Sequence, residues 1–143
     1  MAILRLTLTS HTAEIKRIGG ALSEFLDEEG IPPSLAHRAR LVVEELVVNV
    51  IRHAFDDARE HAILLDVRTE PGGVAIVVED DGKAFDPRDV RAPELRALVE
   101  TGKPGGLGLA MIKKLARDLT YARVDGRNRV RAFVGHSPRG GSS

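Results

Sequence analysis

The sequence predicts a single α/β domain, because strand-like and helix-like segments alternate along 143 residues without an interior linker or repeat. Residues 2–9 alternate apolar and polar side chains, which is typical of a half-buried strand. Residues 34–54 contain no Gly or Pro and place apolar residues at helical spacing, which predicts a long helix. Residues 74–79 form a nearly continuous apolar run, as expected of a central strand.

The other segments carry ordinary start and stop signals. Ser10 or Thr12 is predicted to cap a first helix that ends at Gly30. Residues 85–103 lack clear periodicity and are predicted to form a mobile loop with a short helical piece over 94–99. The remaining predictions are a strand over 61–69, a hairpin turn over 71–73, a helix over 108–117, a hairpin of strands 119–124 and 129–134 across 125–128, and a disordered tail over 136–143. The predicted domain therefore spans residues 1–135.

Composition excludes several classes of function. The 21 Lys and Arg residues balance the 21 Asp and Glu residues, so the chain lacks the basic excess of most nucleic-acid and anionic-membrane binders. The chain has no Cys, which excludes disulfides, thiolate catalysis and Cys-bound zinc. No apolar run is long enough to span a membrane, and the N-terminus lacks a signal-peptide pattern, so the expected location is the cytoplasm.

Three polar residues stand at helical spacing within the long apolar helix. Glu45, Asn49 and His53 are spaced i, i+4 and i+8, which stacks them along one stripe. An Asn in such a stretch is a poor helix former and is costly to bury unless its amide is bonded. A ligand against the stripe would explain the pattern. The alternative for Glu45 and Asn49 is an ordinary solvated helix face.

Asp80 and Gly82 follow the predicted central strand directly. They would lie at the end of a sheet, where ligands commonly bind in α/β folds. A buried carboxylate there can accept a hydrogen bond from an exocyclic amine such as the 6-amino group of adenine, and Gly82 would let the backbone approach the flat base. The sequence Asp-Asp-Gly is also ordinary turn chemistry, so a plain turn is the alternative.

A glycine-rich stretch over residues 103–109 leads straight into a predicted helix. Glycines at a helix N-terminus expose N–H groups and a partial positive charge, which is the usual arrangement for holding phosphate, and Lys103 could add a point charge. The stretch lacks the Gly-Lys-Ser/Thr of a P-loop, and no strand directly precedes it as in a dinucleotide site. A flexible hinge before a helix is the alternative.

In this order and spacing, the three stretches resemble the sequence boxes of the Bergerat-fold ATP-binding superfamily, which includes gyrase, histidine kinase and mismatch-repair types. The matches are Glu45, Asn49, His53 and Ala54 for the N box, Asp80 and Gly82 for the first glycine box, and Gly106 and Gly108 for the second. The short length, Phe85-Asp86-Pro87 and the Gly-Gly-Leu-Gly-Leu entry into a Lys-Lys-Leu-Ala-Arg-Asp helix resemble one branch, the bacterial anti-sigma factor serine/threonine kinases. The resemblance implies a two-layer α+β sandwich whose mixed, mainly antiparallel sheet is covered on one face by helices.

The resemblance also implies a role for each matched residue, with ATP and Mg²⁺ as cofactors. Asn49 would coordinate Mg²⁺ through its amide oxygen, and Glu45 would be the general base. Asp80 would hold the adenine amine with Gly82 beneath the ring, residues 88–103 would form the ATP lid, and His53 would have no catalytic role. The residues expected around the phosphates are Lys103, Gly105, Gly106, Leu107, Gly108 and Leu109.

Two departures from the family pattern are expected to alter nucleotide affinity without changing the binding mode. Pro104 stands between Lys103 and the glycine run, where relatives often have a basic residue closer to it. The second hairpin of relatives often carries Gly-Thr, which helps to fix a water beside the adenine-binding Asp. This chain has Asn128-Arg129 there.

The function implied by the resemblance is a kinase that phosphorylates a Ser or Thr on a STAS-type anti-sigma-factor antagonist and sequesters a sigma factor when unopposed. The family also implies a homodimer, through the first strand edge and helix. The alternative is a non-catalytic, ATP-dependent module that switches a phosphatase or a stress-signalling complex. Glu45 favours the kinase, because a pure binder does not need a carboxylate beside the metal. A sensor histidine kinase fragment is disfavoured, because His11 and His37 do not stand in a dimerisation helix pair.

Overall fold

Strands and helices follow one another along the chain in the predicted order. The computed structural model describes residues 2–55, 59–89 and 108–136. Within them lie five strands, three α-helices and one 3₁₀ turn over Pro87–Asp89. The elements are β1 Ile3–Thr9, α1 Glu14–Glu28, α2 Pro33–His53, β2 Ala62–Glu70, β3 Gly73–Asp80, α3 Gly108–Leu115, β4 Arg117–Val124 and β5 Arg127–Gly135.

The strands form one sheet in the order β1-β2-β3-β5-β4. Every described neighbour pair is antiparallel, so the two-layer α+β class is confirmed while the expected mixed sheet is wrong. Strand β3 is central, and six of its eight residues are buried. This burial explains why its sequence is continuously apolar instead of alternating.

Helix α2 lies against the middle of the sheet, where it contacts β3, β5, α1 and α3. Its buried face includes Val42, Val43, Leu46, Val47 and Val50. Each such side chain contributes roughly 1.5–3 kcal/mol when it leaves water, so this helix is a main source of stability. Among the described helices, none combines the length and apolar character needed to cross a membrane.

The first helix begins later than the predicted caps. The residue before α1 is Ala13, which makes no side-chain cap, so the predicted caps Ser10 and Thr12 are wrong. The Ser10 hydroxyl instead accepts a hydrogen bond from the backbone N–H of His61 at 3.0 Å, which ties β1 to the start of β2. The predicted end at Gly30 is confirmed, because this residue has a φ of 71° and closes the helix in the left-handed region.

The last hairpin turns earlier than predicted. Asp125 and Gly126 have φ values of 50° and 75°, which is the pattern of a two-residue type I′ turn. Arg127 and Asn128 therefore belong to β5, and Asn128 stands directly opposite Asp80 of β3. Helix α3 ends at Leu115 and not at the predicted residue 117, because Arg117 begins β4.

Some predictions lie outside the described residues. They are residues 90–103 of the predicted lid, which include the helical piece over 94–99, and residues 137–143 of the predicted tail. His136 is described and is held at both ends: its N–H donates to Gly72 O at 3.0 Å and its carbonyl accepts from Arg38 at 3.0 Å. The boundary at residue 135 remains a prediction.

The C-terminal end of α2 packs against the chain just after β3. The N–H of Lys83 donates to the carbonyl of Ala54 at 2.8 Å. A Cβ added at Gly82 would contact the Ala54 carbonyl and would stand 2.7 Å from the Ala54 Cβ, which is too close for any side chain. Gly82 is therefore required for the helix–strand contact, a reason independent of any bound base.

We expect Gly82→Ala to lower the free energy of unfolding by roughly 1–3 kcal/mol, because the added methyl group overpacks a backbone contact. Gly20→Ala is the matched control: Gly20 lies within α1, and a Cβ there meets nothing within 4 Å. The control should raise stability by about 0.5–1 kcal/mol through helix propensity. Urea unfolding of both variants measures the difference, and equal effects would contradict the packing role of Gly82.

Candidate functional site

The predicted stripe of Glu45, Asn49 and His53 lies in the C-terminal half of helix α2. Asn49 is only 6% exposed, and Glu45 is half-buried. Among the described residues, the Nδ2 of Asn49 and the Oε2 of Glu45 are buried without a hydrogen-bond partner. A solvated helix face does not have this property. Two unsatisfied polar atoms one turn apart are expensive, and they point to a ligand that binds against the stripe.

The environment of Glu45 makes its carboxyl group a weaker acid than usual. Burial raises the pKa of Glu45, and the neighbouring charge of Glu44 raises it further, while Arg52 lowers it. A carboxylate whose pKa is moved towards neutrality is a better proton acceptor. The site thus contains a group with the chemistry of a general base.

Asp80 ends β3 with its carboxylate inside the protein, at 1% exposure. Its Oδ1 accepts hydrogen bonds from the N–H of Gly82 at 2.8 Å and from the Nδ2 of Asn128 at 2.9 Å. Burial raises the pKa of Asp80, and these two hydrogen bonds oppose that change. Both described hydrogen bonds fall on Oδ1, so Oδ2 is the oxygen left for a ligand.

Asn128 is the residue of the candidate site that sequence reasoning does not identify. The sequence predicts it in a turn and marks it only as a departure from the family pattern, yet its side chain donates a hydrogen bond to Asp80. The Asp125-Gly126 pair was the available signal, because a two-residue turn puts Asn128 into the strand on the same face as Val130. That face packs towards the helices.

The N-box helix and the first glycine box meet at the end of α2. Besides the Ala54 contact, the ring of His53 stacks on Phe85 with centroids 4.8 Å apart. Asn49 stands five residues before Ala54, which corresponds to about 7.5 Å along a helix axis. The structure therefore joins the end of α2 to the segment that contains Gly82, while a shared ligand site of Glu45, Asn49, Asp80 and Gly82 stays a prediction.

The second glycine box is described only in part. Gly108 is the first residue of α3, and Leu109 follows within the same helix. Lys103, Gly105, Gly106 and Leu107 lie outside the described residues, so their predicted phosphate contacts stay predictions. Helix α3 packs against α2, which places its start on the same layer as the stripe.

A magnesium ion fits this donor set only together with a phosphorylated ligand. No group of three or more His, Asp and Glu side chains capable of holding a metal occurs in the part of the chain that the structure describes. Asn49 offers one amide oxygen. Rotating the amide by a half-turn exchanges the positions of this oxygen and of the Nδ2 that lacks a partner. Mg²⁺ typically takes its other ligands from water and phosphate oxygens, so a single protein ligand is compatible with a Mg-nucleotide.

The open face of the sheet offers a competing but less suitable location. A shallow cleft of about 330 Å³ lies there between β1, β2, β3 and β5. Its charged side chains pair with one another: Arg5 lies 3.3 Å from Asp66, and Arg129 lies 3.6 Å from Glu79. Paired, exposed charges on a sheet are ordinary surface structure, so the candidate site is the Asp80 end.

Comparisons with known proteins identify the family of this chain. The family model for the histidine kinase-like ATPase domain matches residues 8–134. The chain is 32% identical over 97 residues to a serine/threonine-protein kinase, BtrW, from Bordetella bronchiseptica, a match that covers 68% of each protein.

The histidine kinase domain of the blue-light activated histidine kinase from Erythrobacter litoralis EL346 has a similar fold. The TM-score is 0.53 at 20% identity, and the match covers 87% of this chain and 60% of that one, which is less than two thirds of its length. This likeness concerns the fold alone. The match of the family model over most of the chain confirms the resemblance read from the three boxes, and such domains bind ATP. The chain belongs to the histidine kinase-like ATPase domain family.

Proposed function

We propose that this protein is an ATP-dependent serine/threonine kinase and anti-sigma regulator. It would phosphorylate a Ser or Thr on a STAS-type anti-sigma-factor antagonist and sequester a sigma factor when unopposed. The observation that carries the proposal is the buried stripe of α2, where a carboxylate with a raised pKa stands one turn from a buried amide with an orphaned atom. The similarity to a protein named as a serine/threonine kinase supports the same reaction.

In this proposal, Asp80 and Asn49 bind the two ends of the nucleotide. Asp80 Oδ2 accepts the hydrogen bond of the adenine amine, and Gly82 allows the base to lie close to the backbone. Asn49 supplies one oxygen ligand to the Mg²⁺ that accompanies the phosphates. Lys103 and the segment from Gly105 to Leu109 bind the phosphates. Phosphoryl transfer depends mainly on such positioning and on neutralised charge.

Glu45 would take the proton of the substrate hydroxyl group. The hydroxyl oxygen attacks the terminal phosphorus of ATP at the same time, and ADP leaves. Its location within the nonpolar α2 packing raises its basicity, and Arg52 limits that effect. A binding module that performs no chemistry has no reason to keep a half-buried carboxylate with an unsatisfied oxygen, because such a group destabilises the fold. This argument ranks the kinase above the alternative, a non-catalytic ATP-dependent switch for a phosphatase or stress-signalling complex.

The proposal includes a homodimer that forms through the edge of the first strand and the first helix. Strand β1 is an edge strand, and its residue Ile3 is 44% exposed. An exposed edge with an apolar side chain is suited to contact with a second chain. The sigma factor and the antagonist remain proposals as partners.

We expect Asn49→Ala to abolish binding of ATP in the presence of Mg²⁺, because the metal loses its ligand from the protein. Calorimetric titration with ATP and ADP, with and without Mg²⁺, measures this. The free energy of unfolding without ligand should change by less than about 1 kcal/mol, since the substitution also removes an unsatisfied buried amide. Strong destabilisation with unchanged ATP binding would show that Asn49 is structural.

We expect Glu45→Gln to retain ATP binding and to lower the rate of phosphoryl transfer by about 10²–10⁴-fold, the usual contribution of a general base. Glu44→Gln is the matched control, because it removes the adjacent carboxylate, which faces Arg40 at 3.9 Å. Transfer to the STAS-type proteins of the source organism is followed by mapping phosphoserine and phosphothreonine. A wild-type rate in Glu45→Gln would exclude Glu45 as the base.

The raised pKa of Glu45 gives two pH dependences with opposite signs. The transfer rate should rise with pH up to the folded-state pKa of Glu45 and then level off, because only the carboxylate accepts a proton.

Stability should behave in the opposite way: the native state holds this proton more tightly than the unfolded chain, so ionisation of Glu45 destabilises the fold as pH rises. Glu45→Gln should therefore stabilise the ligand-free protein at neutral pH, with a difference that disappears in acid. Urea unfolding at several pH values measures it, and a constant difference would contradict the assignment.

A further inference from the structure

Asn128 is the centre of a buried hydrogen-bond network beside Asp80. Its Nδ2 donates to Asp80 Oδ1 at 2.9 Å and to the Lys83 carbonyl at 2.8 Å. Its Oδ1 accepts from the Phe85 N–H at 3.2 Å, from the Tyr121 hydroxyl at 2.6 Å and from Arg123 at 3.1 Å. Asn128 is 1% exposed and its bond to Asp80 is buried, while its other four hydrogen bonds are partly buried.

The network fixes the orientation of the Asn128 amide. Its NH₂ group faces two acceptors and its oxygen faces three donors, so a half-turn of the amide would set the oxygen against the Asp80 carboxylate and the nitrogen against donors. The second hairpin supports this arrangement, because the register of β3 and β5 places the two residues directly opposite each other. Besides Asp80, the Asn128 side chain thus contacts two other segments, the chain just after β3 and strand β4.

The fixed amide in turn fixes the carboxylate. The N–H of Gly82 and the Nδ2 of Asn128 both donate to Oδ1 of Asp80, which leaves Oδ2 as the acceptor for a ligand. An ionised carboxylate accepts hydrogen bonds and cannot donate them. It therefore favours a purine with an amino group at position 6 over one with a carbonyl group there.

We infer that Asn128 is a positioning residue that makes this site select adenine over 6-oxo purines, by holding Asp80 so that a lone acceptor oxygen faces the base. This inference rests on the proposed nucleotide site and deepens it. Asn128 itself does not contact the ligand, because its polar atoms are used within the network. Its contribution is made through Asp80.

The decisive variant is Asn128→Asp. The introduced carboxylate stands against Oδ1 of Asp80 where the Nδ2 donor stood, so Asp80 loses the hydrogen bond that fixes its orientation. Asp80 then no longer presents Oδ2 to the base as a fixed acceptor, and its discrimination between a 6-amino and a 6-oxo group falls. We expect the wild-type protein to bind Mg-ATP at least about tenfold more tightly than Mg-ITP, and the variant to bind the two within about threefold of each other. Calorimetric titration of both proteins with both nucleotides gives the four dissociation constants.

Arg129→Gln is the matched control, because it changes the net charge by the same amount at the adjacent residue of β5. Arg129 faces the opposite side of the sheet, where it lies 3.6 Å from Glu79, and it should keep the wild-type preference. If Asn128 had only a structural role, Asn128→Asp would weaken the binding of both nucleotides alike and leave the ratio of their dissociation constants unchanged. An unchanged ratio in Asn128→Asp therefore overturns the inference.

Asp80→Asn decides the question if Asn128→Asp does not fold. The two donors at Oδ1 require an oxygen there, so the introduced amide must direct its NH₂ group towards the base, and the variant should bind ITP more tightly than ATP. A retained preference for ATP, or equal loss of both nucleotides, would contradict the inference. Absence of ATP binding by the folded wild-type protein would instead refute the proposed function itself.

Discussion

The packing of α2 across the central strands is the constraint on which the rest of the structure depends. Its apolar face supplies much of the core, and the same helix must carry Glu45 and Asn49 into that interior. Free energy from the burial of valine and leucine side chains holds two polar groups in positions that are unfavourable for them. The stability of the helix and the unfavourable burial of Glu45 and Asn49 are therefore consequences of one packing arrangement.

The contact between the end of α2 and the chain after β3 connects the two halves of the site. It depends on Gly82, where any Cβ would meet Ala54, and on the hydrogen bond between Lys83 and Ala54. Because these are backbone contacts, the distance between the helix stripe and Asp80 is set without the help of flexible side chains. A nucleotide that spans both would find its two binding groups already in place, which reduces the entropy lost on binding.

The sequence predicted the elements of this fold well because their patterns are strong. The alternation in β1, the apolar run of β3 and the uninterrupted helix α2 all depend on burial that the sequence displays directly. The predictions were wrong where the role of one residue, or the length of one turn, decides the local structure. Ser10 could cap a helix or anchor β2, and Asp125-Gly126 could belong to a four-residue or a two-residue turn. Local propensity does not distinguish these cases, since tertiary contacts select between them.

The turn at Asp125-Gly126 shows how such a small choice reaches the site. A shift of register by one residue would send Asn128 to the opposite face of the sheet, because side chains alternate along a strand. The network around Asp80 would then lose its central amide, and a buried carboxylate would keep only the Gly82 N–H. The left-handed φ values at both turn residues fix the register and with it the partner of Asp80. The proposed selection of a base at one end of the sheet thus depends on backbone geometry in a turn that no ligand needs to touch.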